Sequence, residues 1–319
     1  MLKYIFTLLT TKNPKLFYKK LLLIITIIFI VYYLYRISEP PTQYYPIEGF
    51  TQEAPFLLKS DLEVYDDFYA EVYDGITDRP KTCQKELFQI VKMTEPDTNN
   101  SVFLDIGCGT GCIVNELTDF GYTAYGVDKS KAMLDFAQAK YPNIGLINGN
   151  VLDTMTFDKH LFTHIICTNF TIYEIPDKKL FFSNCYNWLK PNGYLIIHLI
   201  DRDKFSARKF KDTLMDLTGL YRSMQPVKNE RTLNTSAEFI DFLYEATYEI
   251  KPQTDIVVFK ETFTDKQTKH VRQNENTMVV ESIEQILSIA NKAGFIIHGK
   301  TNKLNGDENQ YLYILERTL

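Results

Sequence analysis

Histidine and cysteine are scarce in this chain, five of each in 319 residues, and neither gathers into a ligand pattern. Cys108 and Cys112 stand four apart with no histidine pair to complete a zinc set, so no metal site is expected. The cysteine number is odd, and positions 83, 108, 112, 167 and 185 fall mostly in segments that read as core or turn. A disulfide framework is therefore not expected. Positive charge is not in excess either: the net charge is -5, which argues against bulk attraction to nucleic acid. The one locally basic stretch, Arg202 to Lys211, reads as a solvated helix face. Internal repeats and long low-complexity tracts are missing.

What remains is material for a buried core. At 45% hydrophobic residues, the chain can fill one large α/β core and needs no second core to explain its length. The N-terminus differs from the rest. Leu21 to Tyr35 carries fifteen residues without a charge, bracketed by Lys19 and Lys20 before it and Arg36 after. At 1.5 Å per residue this falls short of a ~30 Å hydrocarbon layer, but lysine snorkelling and Tyr32, Tyr33 and Tyr35 can extend its reach. No small-x-small cleavage site follows, so the segment reads as an uncleaved anchor over residues 1–37. A proline-bearing linker over 38–55 and a domain over 56–319 complete the expected layout. Positive-inside counting places the N-terminus in the cytoplasm. The Asn-x-Thr sequence at Asn169 and the unpaired cysteine number oppose an exported domain, and the side of the membrane stays open.

The most informative run is Val102 to Gly111, VFLDIGCGTG. Val102, Phe103, Leu104 and Ile106 form the apolar run of a strand buried on both faces of a parallel sheet. Glycines at 107, 109 and 111 clear the backbone for a ligand, and the helix that follows aims free N–H groups at the turn. Dinucleotide-binding proteins use Gly-x-Gly-x-x-Gly around a pyrophosphate. Here the spacing is Gly-x-Gly-x-Gly, with Asp105 two residues ahead, and an anion there would gain a pyrophosphate nothing.

This run resembles motif I of the class I S-adenosylmethionine (AdoMet) methyltransferases. The resemblance implies a Rossmann-like α/β fold, with a seven-stranded, mostly parallel sheet covered by helices on both faces, and AdoMet as cofactor. It implies that Asp105 helps hold the methionine part of AdoMet above a turn made by Gly107, Cys108, Gly109 and Gly111. In TAYGVD, Thr123 to Asp128, the carboxylate of Asp128 takes the ribose hydroxyls by the same resemblance, next to Lys129, and Met133 packs near the adenine. Asp128 also suits the N-cap of a helix over Lys129 to Lys140. In NGNVLD, Asn148 to Asp153, Asn150 stands where an acid is usual, with Val151 beside it, and an asparagine can still hydrogen-bond adenine.

Two further landmarks follow in order. Phe162 to Ile172 gives a fourth strand whose end, at Thr168, should face the transferred methyl group, because open α/β sheets bind ligands beyond the carboxyl ends of their strands. Leu189 to Ile200 gives a helix end, a Pro-Asn-Gly turn and a fifth strand. Upstream, Tyr65 to Asp74 resembles the helix that small-molecule methyltransferases fold over AdoMet, with Tyr73 toward the cofactor. Its aromatic residues suit core packing equally well. The core spans about 96–200. An alternating stretch, about 239–280, resembles the antiparallel insertion that covers an acceptor. Glu281 to Gly294 reads as a helix, and Phe295 to His298 and Tyr311 to Glu316 as the last strands.

AdoMet brings its methyl group already activated, so alignment of an acceptor lone pair is the main requirement. If a base is used, Tyr173, Glu174 and His198 lie near the right strand ends, with Tyr173 and His198 as the catalytic candidates. Each also has a plain reading, as pocket wall, solvent-facing charge and core residue. After Cys167 the chain lacks the Asn/Asp-Pro-Pro-Tyr/Phe clamp of enzymes that methylate planar exocyclic amines. The expectation is a membrane-anchored methyltransferase acting on an N or O atom of a small-molecule acceptor, with a protein or lipid acceptor as alternatives. An AdoMet-binding assembly factor without turnover is the alternative reading, and an NAD-dependent oxidoreductase fits the glycine spacing less well.

Overall fold

The computed structural model describes residues 17–38, 54–204, 234–251, 253–304 and 309–318, and the chain forms two compact units, Met1–Pro46 and Ile47–Leu319. The first unit contains helix α1, Phe17–Ser38, longer at both ends than its charge-free run. Apolar side chains such as Leu22, Ile25, Ile28 and Phe29 are exposed along it, and no polar stripe interrupts the run from Leu21 to Ile25 or from Ile27 to Val31. Among the described residues, however, no helix is long and apolar enough to cross a membrane. The expected anchor thus has its helix and lacks a span there. Most of the expected linker, at 39–53, lies outside the described residues, as does the basic stretch from residue 205 onward.

In the second unit the chain opens with strand β1, Phe56–Ser60, and a 3-10 turn, Asp61–Val64. Helix α2, Asp67–Thr77, starts where the Asp66 carboxylate accepts a hydrogen bond from Tyr69 N, the N-terminal cap that a helix needs. Helix α3, Arg79–Thr94, follows directly. Then come β2, Val102–Ile106, helix α4, Cys112–Asp119, β3, Thr123–Asp128, helix α5, Lys131–Lys140, and β4, Gly145–Asn148. Next are β5, Phe162–Cys167, the short helix α6, Thr171–Glu174, helix α7, Lys178–Trp188, and β6, Leu189–Ile200. Four strands follow, β7, Asn234–Glu238, β8, Phe242–Ile250, β9, Ile256–Asp265, and β10, Val271–Val279. Helix α8, Ile283–Lys292, carries a full capping box, Ser282 with Gln285, and leads to β11, Phe295–Lys300, and β12, Gln310–Arg317.

Seven of these strands make the central sheet in the order β11-β12-β6-β5-β2-β3-β4. The pairs from β6 to β4 are all parallel, and β12 runs antiparallel to both neighbours. The sheet is the mixed, mostly parallel one expected from the landmarks. Strands buried on both faces explain the near-continuous apolar runs of β2 and β5. On one face Phe181, Phe182 and Trp188 of α7 pack with Leu104, Ile165 and Ile197. On the other, Leu87 and Ile90 of α3 and Ile113 and Leu117 of α4 pack with Phe103, Ile166 and Ile196. Full burial of each such side chain stabilises by roughly 1.5–3 kcal/mol.

Three details depart from the sequence reading. The Pro191-Asn192-Gly193 turn does not precede a strand but lies within β6. The partners of Phe162 and His164 are Leu189 and Tyr194, so the extra residues are absorbed as a bulge and Asn192 takes a positive φ of +60°. Cys83 of α3 and Cys112 of α4 form a disulfide, where no disulfide framework was expected. Cys108, Cys167 and Cys185 are free and buried. The cover is also a complete second sheet, β1-β10-β9-β8-β7. It begins at Asn234, earlier than expected, and recruits β1 from upstream in parallel with β10. Its inner side, with Tyr244 and Phe263, packs on Tyr69 and Val72 of α2 and on Met133 of α5.

Candidate active site

The carboxyl ends of β2, β3 and β5 converge, as the topology of an open parallel sheet requires. Gly107, Gly109 and Gly111 all have left-handed φ, at +66°, +50° and +78°, a region costly for any residue with a Cβ. Crowding adds to this at Gly107, where a Cβ would stand 2.6 Å from Thr171 Cγ2. At Gly109 the nearest atoms to such a Cβ are Met133 Cε at 3.7 Å and Tyr73 Cε1 at 3.9 Å. Gly109 is thus the point where bare backbone meets a space walled by α2 and α5.

Two carboxylates flank that turn. Asp128 Oδ2 accepts a hydrogen bond from Gly109 N at 2.9 Å, and Oδ1 one from Ser130 N at 2.9 Å. Burial raises the pKa of Asp128, opposed by those N–H groups and by Lys129. The cap of α5 is Ser130, whose Oγ accepts from Met133 N at 3.1 Å, so Asp128 is not the helix cap. Asp105 is 3% exposed and its carboxyl is pushed up to about 7. Burial is the main cause; the Arg79 guanidinium opposes it, and the like charges of Glu86 and Asp128 add to it. Asp105 and Asp128 therefore share one electrostatic environment beside the glycine turn.

Arg79, at the start of α3, was not singled out in the sequence. Its Nη1 donates to Glu86 Oε2 at 2.8 Å and its Nη2 to Thr168 Oγ1 at 3.4 Å, both inside the protein. Helix α2 is fastened over the turn by Asp74, which accepts from Thr110 Oγ1 and pairs with Lys140 Nζ, each at 2.6 Å. This brings Tyr73 against Gly109, with its hydroxyl accepting a hydrogen bond from Asn169 Nδ2. Asn169 and Phe170 both have positive φ, +52° and +70°, a strained pair directly after β5. The turn they make sets Thr171 over Gly107 and carries Glu174 to Tyr65, whose hydroxyl donates to Glu174 Oε1 at 2.7 Å.

The other expected residues divide. Met133 is buried beside the glycine turn, and Thr168 lies in the Arg79 cluster. Asn150 is exposed, its Oδ1 accepting from Leu152 N at 3.0 Å, while Val151 is buried and its carbonyl accepts from Asn184 Nδ2. Cys108 points its thiol at Gly126, where a Cβ would stand 2.7 Å from its Sγ, so only its backbone remains on the turn. Lys129 is exposed and its carbonyl accepts from Asn148 Nδ2. The two catalytic candidates sit elsewhere. Tyr173 is 1% exposed and its hydroxyl accepts from Ile200 N at 2.8 Å, which assigns it to bracing β6. His198 is buried with its ring 4.9 Å from that of Phe170. Glu174 is the base candidate that reaches the accessible space, in contact with Tyr65. No spacing rule could have paired Arg79 with Thr168 or Tyr65 with Glu174, since each contact joins separate elements.

Residues 104–197 match the family model described as a methyltransferase domain. The chain is 28% identical over 158 residues to the malonyl-[acyl-carrier protein] O-methyltransferase of Halalkalibacterium halodurans, covering 47% of this chain and 58% of that one. The chain spans about half the length of the curated relatives it matches. Among solved structures it is similar to the CcbJ methyltransferase from Streptomyces caelestis, with a TM-score of 0.61, 15% identity and coverage of 81% of this chain and 100% of that one. It is also similar to the AdoMet-bound amino pentose methyltransferase CalS10 from Micromonospora echinaspora, with a TM-score of 0.52, 17% identity and coverage of 77% and 97%. The fold is the Rossmann-like methyltransferase fold.

Proposed function

We propose that this chain is an AdoMet-dependent methyltransferase that acts on an N or O atom of a small-molecule acceptor. The observation that carries the reading is the Gly109 cradle. Left-handed backbone without a side chain runs between Tyr73 and Met133 at contact distance, with Asp128 hydrogen-bonded to Gly109 N and the Asp105 carboxylate close enough to Asp128 for their charges to interact. These residues fit AdoMet: Asp128 suits a vicinal diol, Met133 offers an apolar surface for a flat base, and Asp105 suits an amino group. Arg79, ion-paired with Glu86, acts electrostatically on Asp105. A dinucleotide fits less well, because the pyrophosphate position would meet two acidic side chains.

When bound, AdoMet supplies a methyl group on a sulfonium, already activated for transfer. The protein's residues then have mainly to bind, orient and keep out water. Asp74, Thr110 and Lys140 hold α2 in place over the turn. The Asn169–Phe170 bend sets the path of the chain beyond β5. The second sheet walls the side away from the central sheet, on which an acceptor must arrive. A small-molecule acceptor is supported by that cover and by the names of the relatives, which include a ubiquinone biosynthesis O-methyltransferase and a sugar N-methyltransferase.

Calorimetric titration of the full chain with AdoMet and with NAD tests the reading. AdoMet should bind and NAD should not, and Asp128→Ala should weaken AdoMet by roughly ten- to a hundredfold, the worth of a charge-assisted hydrogen bond. A change of less than threefold refutes the place given to Asp128. Bound AdoMet without methyl transfer to any fraction of a membrane-containing extract would favour an assembly factor. Membrane attachment through α1 belongs to the same proposal and rests on its exposed apolar side chains. Flotation of the full chain with phosphatidylcholine vesicles checks it, and a chain that stays in the dense fraction argues against it.

A further inference from the structure

Glu174 is a carboxylate placed where a methyl acceptor would enter, and its surroundings state what kind of acceptor they suit. It closes α6, just beyond the carboxyl end of β5, and the residue is exposed, with Oε1 held by the Tyr65 hydroxyl. Burial pushes its carboxyl up to about 7, and the charges that bear on it most are themselves acidic: Asp128 from β3, Glu261 from β9 and Asp61 from the turn after β1. No described lysine or arginine pairs with it.

The hydrogen bonds around it all run in one direction. The Tyr65 hydroxyl spends its one proton on Glu174 Oε1 at 2.7 Å and accepts from Asn276 Nδ2 at 3.3 Å. That order fixes the amide orientation of Asn276. Asn276 is 4% exposed, and its Oδ1 has no partner. The cluster therefore offers negative charge and unused acceptor atoms, and it lacks donors. A carboxylate acceptor would be repelled, and an alcohol brings a single donor proton that a carboxyl group is far too weak a base to remove. An alkylammonium ion has several N–H donors, a compensating charge, and a pKa of about 10, within reach of this carboxylate.

We propose that the acceptor is a small basic amine, bound and deprotonated by Glu174 with Tyr65 and Asn276 positioning the carboxylate. This rests on the methyltransferase reading above. The ammonium proton passes to a Glu174 oxygen, and the freed lone pair forms the new N–CH3 bond. The old bond from that carbon to sulfur breaks with its electron pair remaining on sulfur, which becomes a neutral thioether. The product leaves as a methylated ammonium ion, and the Glu174 carboxyl releases its proton to solvent before the next turnover.

The test uses the full chain, methyl-labelled AdoMet and a desalted small-molecule extract, with labelled products separated on a cation exchanger at acid pH. Label should be retained there as a basic product, and the rate should rise with pH through about 7. Glu174→Gln should reduce it at least a hundredfold and abolish that inflection, with AdoMet affinity by calorimetry unchanged within twofold. Tyr65→Phe should shift the inflection and retain part of the rate. Label in neutral or acidic products overturns the amine assignment and leaves methyl transfer standing. A retained rate and inflection in Glu174→Gln overturns the role of Glu174. Absence of label from every fraction, with AdoMet bound, overturns the methyltransferase reading and this one with it.

Discussion

Replacing Gly109 and Gly111 separately by alanine distinguishes the cofactor cradle from the scaffold beneath it. Both have left-handed φ, +50° and +78°, so either alanine carries a conformational cost of roughly 1–2 kcal/mol. The surroundings differ. At Gly111 the new methyl would stand 2.8 Å from Ile144 Cδ1 and 3.1 Å from Ala137 Cβ, both in the buried core. Overpacking of that kind adds about 1–3 kcal/mol. At Gly109 the nearest atoms are 3.7 and 3.9 Å away, ordinary contact, and nothing in the folded chain opposes the methyl. Urea unfolding should therefore show a loss of about 2–5 kcal/mol for Gly111→Ala and about 1–2 kcal/mol for Gly109→Ala. For AdoMet the order reverses: Gly109→Ala should weaken binding at least tenfold, about 1.4 kcal/mol, measured by calorimetry at a temperature where both variants are folded. If Gly109→Ala bound AdoMet as the parent does, the cleft beside Gly109 would not be the cofactor seat. If it lost as much stability as Gly111→Ala, the unstrained contacts at Gly109 would be wrong.

Other expectations rest on the same geometry. Glu86→Ala should cost about 3–5 kcal/mol in chemical denaturation because it strands the buried Arg79 charge, and a loss below 1 kcal/mol would show that Arg79 finds water. Reduction of the Cys83–Cys112 bond, which closes a sequence separation of 29, should lower stability by about 3.6 kcal/mol on the loop-entropy account; equal unfolding midpoints with and without dithiothreitol would exclude that constraint. Asp105 and Glu174 are both held up at about 7, whereas unfolded carboxyls titrate near 4. Between those values the folded chain binds more protons than the unfolded one, so stability falls as pH rises from about 4 to about 7. Glu174→Gln should flatten that fall without changing stability near pH 4, and an unaltered slope between pH 5 and 8 would contradict the raised carboxyl.

Much of the fold was legible in the order of residues because its signals are local. The apolar run of β2, the glycines after it, the carboxylate at the end of β3 and the strand–helix alternation each reflect a few neighbouring residues obeying backbone sterics and hydrophobic periodicity. Asp105, Asp128 and the glycine turn were readable for that reason. Tyr173 and His198 were placed near the correct strand end, but the direction of a side chain depends on packing, and packing turned both into the core while leaving Glu174 accessible.

The chain's sequence thus determined the central sheet and the glycine turn with Asp128 hydrogen-bonded to it, since those depend on short-range conformation and on which runs must be buried. Tertiary structure alone decided the rest. It joined Arg79 to Thr168 across 89 residues and Tyr65 to Glu174 across 109. It tied β1 to β10 and linked Cys83 to Cys112. Such contacts form only when whole elements dock, and the residues that make them carry no mark of their partners, because a charge or hydroxyl meets its counterpart through the shape of the assembled core.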